Sequence, residues 1–158
     1  MASIYSIVYL PEDRSYGETK EAYIRVPLQQ ATLVVGHGIQ GDRKGGHPDR
    51  QLNVISLEWL ESLRPRGYKT SPGQFGEQII VEGLAVEDLP PGARLQMGPE
   101  ASIEVINTRT GCSRLEGAQG QPVMTAGVGR LGVMARVISG GEIKVGDPVT
   151  LLEILERE

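Results

Sequence analysis

The sequence predicts a mainly β fold, a sandwich or barrel, and three observations carry the prediction. Glycine supplies 21 of the 158 residues, well above the usual share of about 7%, which implies many tight turns. Between the turns lie short runs in which apolar and polar residues alternate with a period of two, the pattern of half-buried strands. Only one short run, residues 57–63, has apolar residues at helical spacing.

Residues 3–10 are rich in β-branched and aromatic side chains and end at Pro11, so they read as a strand. Residues 11–20 read as a polar loop. In 22–28, Ala22, Ile24, Val26 and Leu28 share one face and Tyr23, Arg25 and Pro27 the other, and 31–35 make a further strand. Residues 36–50 hold five glycines, with His37, His47, Asp42, Asp49, Arg43, Lys44 and Arg50. Such a loop either sets backbone N–H groups and its cations against an anion or is a solvated connection. His37, His47 and Asp49 are of zinc-ligand type, but no HxH, HExxH or Cys-rich spacing supports a zinc site, and no Walker pattern is present.

Residues 51–55 read as a strand. Ser56 then stands where a helix N-cap belongs, with Leu57, Leu60 and Leu63 on one face and Pro65 and Gly67 ending the turn. Trp59 reads as packing. Ser71, Pro72 and Gly73 signal a turn ahead of a strand at 78–81, and Glu77 before it either caps local backbone or projects into a site. A strand at 94–97 follows. In 101–106 the odd positions face the core, and continuing that parity points Asn107 and Arg109 inward at a polar barrel mouth. After a loop with Gly117 and Gly120, residues 133–138 form a strand. Gly140 and Gly141 read as a hairpin turn of positive φ into 143–146, and a last strand spans 149–155.

Length fits one domain over 1–158. A net charge of −4 with 4% aromatics argues against nucleic acid. No apolar run reaches the 18 residues of a membrane span, and the N-terminus lacks the pattern of a signal peptide, so a soluble, cytoplasmic protein is expected.

The single cysteine, Cys112, lies in residues 107–117, Asn-Thr-Arg-Thr-Gly-Cys-Ser-Arg-Leu-Glu-Gly. A thiol acts as its thiolate, and Arg109 and Arg114 on either side would favour that form. A free cysteine also serves as a small buried hydrophobe, and this reading stands beside the reactive one. A cysteine hydrolase would need His37 or His47 within reach of the sulfur as a base.

Taken together, the motifs resemble a stand-alone MOSC domain, the C-terminal domain of molybdenum cofactor sulfurases. Gly38-Ile-Gln-Gly-Asp42 is similar to its early glycine-aspartate loop, Arg50-Gln-Leu-Asn-Val-Ile-Ser56 to the strand that follows, and Pro72-Gly-Gln-Phe-Gly-Glu77 to its Phe-Gly-Glu-Asn motif. Leu84, Gly92 and Gly98 match the later spacing, and Cys112 falls at the characteristic cysteine. Residues 132–147 resemble the closing hairpin. Gln78 departs from the usual asparagine, and Thr110 and Gly111 stand before the cysteine where relatives carry proline.

The resemblance implies a mainly β, MOSC-type barrel with a few short helices. It also implies a protein that binds the molybdenum cofactor or carries sulfur on Cys112, in cofactor sulfuration or in reduction of N-hydroxylated substrates. Cys112 would be the catalytic sulfur carrier or the thiolate ligand to molybdenum. Asn107, Arg109, Arg114, Arg43, Arg50 and Glu77 would line the cofactor. The family is associated with pyridoxal phosphate as well, and the implied partners are a sulfur donor, a cysteine desulfurase or an electron-donor protein. The alternative is a non-catalytic barrel that binds or delivers a group for a partner protein.

Overall fold

Eleven strands organise the described chain, which in this computed structural model comprises residues 2–11, 25–43, 45–48, 51–109, 113–121 and 131–154. They are β1 (Ser3–Tyr9), β2 (Val26–Leu28), β3 (Gln30–Val34), β4 (Gly38–Ile39), β5 (Leu52–Ser56), β6 (Ile79–Glu82), β7 (Ala93–Met97), β8 (Ala101–Thr108), β9 (Val133–Ser139), β10 (Gly141–Lys144) and β11 (Val149–Ile154). Two short helices, α1 (Leu57–Leu63) and α2 (Ser113–Gln119), accompany them. Eight strands form one curled, half-barrel sheet in the order β11-β7-β8-β9-β5-β6-β1-β2, and β10-β3-β4 form a second. The mainly β, barrel-like prediction therefore holds.

Neighbours in the large sheet run antiparallel except β5 and β6, which are parallel. Parallel strands need a crossover, and α1 begins it immediately after β5. The Ser56 hydroxyl accepts the Trp59 N–H at 3.2 Å, the N-cap expected from the sequence. Leu60 and Leu63 are buried, and Trp59 meets Phe75 edge to face at 5.3 Å between ring centres. The curl is drawn together by backbone bonds from the start of β1 to the turn before β11: Ile4 N–H to the Asp147 carbonyl at 2.9 Å, and Gly146 N–H to the Ile4 carbonyl at 2.7 Å.

Alternation sorts the apolar side chains into two layers. Inside the curl lie Ile4, Ile7, Val54, Ile79, Val81, Leu95, Ile103, Val105, Val133 and Ala135, with Leu33 and Ile143 from the small sheet. On the other face, Ile55 and Ile80 pack with Leu60, Leu63, Phe75, Leu115, Ala118 and Leu131. The helices and the loop of Phe75 thus cover the outside of the barrel wall.

Three local expectations are corrected. Gly140 and Gly141 do not make a hairpin: β10 pairs with β3, Gly141 opposite Leu33, and neither glycine has positive φ. They are there for close approach, since a Cβ on Gly140 would lie 2.8 Å from the Leu33 carbonyl oxygen and one on Gly141 2.9 Å from Glu100 Cβ. The segment after Cys112 is helical as α2, where a loop was expected; Leu115 and Ala118 bury one face of it, a pairing too short to read against Gly117 and Gly120. The 36–50 loop is not wholly solvated, because Ile39 pairs in β4 and Ile39 and Asp42 are fully buried. Residues 22–24 lie outside the described residues, and Val26 to Leu28 keep the predicted alternation.

Candidate functional site

Three of the sequence motifs meet in a buried polar chain. Asp42, fully buried, accepts the Leu10 N–H on one oxygen and the Gln78 side-chain amide on the other, each at 3.2 Å. Gln78 in turn accepts the Asn53 N–H at 2.8 Å, and the Asn53 side chain donates to the Gly76 carbonyl at 3.3 Å. The glycine-aspartate loop, strand β5 and the Phe-Gly-Glu segment are therefore tied to one another through polar groups that burial obliges to pair. Gln78, in the place of the expected asparagine, is the link.

Glu77 ends the third motif, with only 1% of its surface exposed. Its carboxylate accepts the Gly73 N–H at 2.5 Å and the Phe75 N–H at 3.1 Å, so it caps the turn that carries Phe75. Gly73 has φ +88, and a Cβ there would meet the stem of Arg25 at 2.8 Å. Burial pushes the Glu77 carboxyl above its ordinary value; the backbone donors and the nearby Arg109 guanidinium act the other way and offset part of this. Of the two readings open in the sequence, local capping is what the hydrogen bonds show.

The expected inward pair is corrected by a bulge. The β8 register shifts between Val105 and Asn107, so Val105 faces Ala135 but Asn107 faces Met134. One extra residue reverses the alternation. Asn107 is exposed, its side-chain oxygen accepting the Thr108 N–H at 2.8 Å, and it does not point into the barrel. Arg109 is half-buried, continues the pairing through its N–H to the Gly132 carbonyl at 2.9 Å, and lies within electrostatic reach of Glu77.

Arg43 is held at the other end of the polar chain, beside Asp42, donating to the Pro11 carbonyl at 3.0 Å. Cys112 and Arg50 lie outside the described residues, as does the side chain of Arg114. The nearest described elements before and after Cys112 in the chain both meet the Glu77 segment: Arg109 through its charge, and α2 through Leu115 and Ala118 packed in the layer of Phe75. Gln119 fastens the end of α2 to the same segment, donating to the Gln74 carbonyl at 3.0 Å and to the Lys69 carbonyl at 2.9 Å.

A third buried carboxylate was not singled out from the sequence. Glu104, on the outer face of β8 and fully buried, receives Arg94 from β7 and Arg136 from β9, each at 3.2 Å. Registers Arg94↔Glu104 and Glu104↔Arg136 make this a ladder across three strands. The charge pattern is present in the sequence, but only strand pairing aligns it. Among the described residues no group of three or more His, Cys, Asp or Glu side chains could hold a metal ion, and no helix is long and apolar enough to cross a membrane.

A family model described as the MOSC domain matches residues 41–150, which span the polar chain, the Glu77 turn and the closing strands. The chain belongs to the MOSC domain family. Solved structures of similar fold include YiiM from Geobacillus stearothermophilus, at 22% identity and a TM-score of 0.72 over 97% of this chain and 76% of that one. The YUAD protein from Bacillus subtilis, at 17% identity, gives 0.71 over 94% of both chains. YiiM from Escherichia coli, at 21% identity, gives 0.68 over 99% of this chain and 72% of that one. At these identities the structures establish a shared fold. No curated protein matches the chain at a significant level. Membership places the chain among molybdenum-cofactor-related domains in general.

Proposed function

We propose that this MOSC domain works through Cys112, as a thiolate ligand to the molybdenum of a pterin cofactor or as a carrier of sulfur for it. The observation that supports this reading is that the nearest described elements on either side of Cys112 in the chain both lie by the Glu77 segment, Arg109 within electrostatic reach of it and α2 packed in the layer of Phe75. A metal ligand or sulfur carrier needs fixed elements supporting it, and a spacer does not.

The donor set fits such a group. A metal that arrives already bound by its own organic ligand needs one soft donor from the protein, and Cys112 is the chain's one thiol. In this reading Arg109, Arg114, Arg43 and Arg50 favour the thiolate and the anionic parts of the cofactor, with Asn107 at the exposed end of β8. Glu77 acts indirectly, by holding its turn and the Arg109 guanidinium. A sulfur donor such as a cysteine desulfurase, or an electron-donor protein, would be the partner, and reduction of N-hydroxylated compounds or cofactor sulfuration the outcome. When bound, the cofactor supplies the redox chemistry.

The test is elemental analysis of protein expressed with the cofactor pathway active. Wild type is expected to retain molybdenum or a persulfide sulfur in proportion to protein, and Cys112→Ala to lose it. Equal metal and sulfur in both would defeat the reading and favour a non-catalytic binding barrel.

A further inference from the structure

We infer that the chain has a second binding site, for a small organic oxyanion, in the cavity between the glycine-rich loop and β9, with Arg136 as its anion-binding residue. This inference is independent of the Cys112 reading. The cavity has a volume of about 410 Å³ and is lined by Val35, Gly36, Gly46 and Pro48 on one side and Gln51, Arg136, Val137 and Ile138 on the other. That size is in the range of small-molecule pockets, and its lining has their usual character, apolar walls with few polar groups.

The polar groups are built in. Arg136 is fixed by Glu104, which accepts its Nη2 at 3.2 Å and is itself wholly buried. Its Nε is buried and is not what the cavity reaches; the guanidinium is presented through the rest of a side chain that is 38% exposed and lines the cavity. Gln51, only 4% exposed, gives its side-chain oxygen to the Val137 N–H at 2.9 Å, which leaves its amide nitrogen as the second donor. Gly36 and Gly46 have φ of +81 and +92, so the loop facing these donors carries no side chain at those two positions. Glu104 is shared with Arg94, and Glu153 meets Arg94 at 3.7 Å on the side away from the cavity.

Two donors and, among the described residues, no acceptor side chain in the lining other than the Gln51 oxygen already bonded to Val137 favour an anion over a cation, since paired ionised groups make the short, strong hydrogen bonds. The apolar walls of Val35, Pro48 and Ile138 select an anion with an organic body over a bare inorganic ion. Carboxylate and phosphate esters share this chemistry. Arg136 stands three residues along β9 from Val133, the partner of Thr108, about 10 Å in an extended strand.

Calorimetric titration of the full chain with benzoate, phenyl phosphate and inorganic phosphate tests this. Saturable binding of benzoate or phenyl phosphate is expected, whichever arm is tighter naming the source of the oxyanion, with inorganic phosphate at least about tenfold weaker. Arg136→Gln should weaken it by about tenfold or more. Since that change also disturbs Glu104, Val35→Glu provides the second variant: Val35 is 60% exposed on the cavity rim and places a like charge there. It should weaken binding while the melting temperature stays at the wild-type value. No saturation by any probe, inorganic phosphate bound as tightly as the organic anions, or wild-type affinity in Val35→Glu would overturn the inference.

Discussion

Replacing Glu77 by glutamine keeps the shape of the side chain and removes one acceptor. In the wild type two backbone donors, Gly73 and Phe75, are met by two carboxylate oxygens in a site with 1% exposure. An amide has one oxygen, so one buried N–H faces an NH2 group. A protonated carboxyl still offers a lone pair on its hydroxyl, and an amide nitrogen does not. The orphaned donor costs about 1–3 kcal/mol, and we expect a net loss of about 2 kcal/mol in mildly acid solution. For a chain of this size that lowers the melting temperature by about 4–8 °C.

The gap should depend on pH in one direction. The Glu77 carboxyl is raised above its ordinary 4.5 in the folded protein, chiefly by burial. Between 4.5 and the folded value the folded state binds more protons than the unfolded one, so stability falls as pH rises. The wild-type advantage over Glu77→Gln is therefore fully present below 4.5 and declines as pH climbs through the folded value, by at most about 1.4 kcal/mol per pH unit. Urea denaturation of both proteins at a series of pH values from below 4.5 upward measures the difference directly. A gap that is flat or widens with rising pH would refute the argument.

Further outcomes follow from the same kind of reasoning. Glu104→Gln leaves Arg94 and Arg136 against a neutral amide; breaking a buried pair costs about 3–5 kcal/mol, and because the arginines are 29% and 38% exposed we expect about 2–3 kcal/mol by urea denaturation. Replacing all three by Met, Leu and Met should recover most of that loss, since a matched apolar set leaves no charge unpaired. Gly132→Ala should abolish soluble folded protein, because Gly132 has φ +94 and its Cβ would lie 2.2 Å from the Val54 carbonyl oxygen, whereas Gly36→Ala, at φ +81 with nothing within 4 Å of its Cβ, should cost only about 1 kcal/mol.

The sequence by itself determined most of the strands, the capped helix α1 and the family. Those features are local: an alternation of period two, a serine before a leucine repeat, and short motifs read along the chain. Asn107 shows where local reading stopped, because a single extra residue in β8 reverses every side chain beyond it, and a bulge leaves no mark in an apolar alternation. The pairing of β10 with β3, the Arg94–Glu104–Arg136 ladder and the Asp42–Gln78–Asn53 chain were likewise decided only in three dimensions. Each joins residues from distant segments, and what selects the partner is the cost of a buried donor or charge left unmet, a quantity that exists only once the sheet has closed around it.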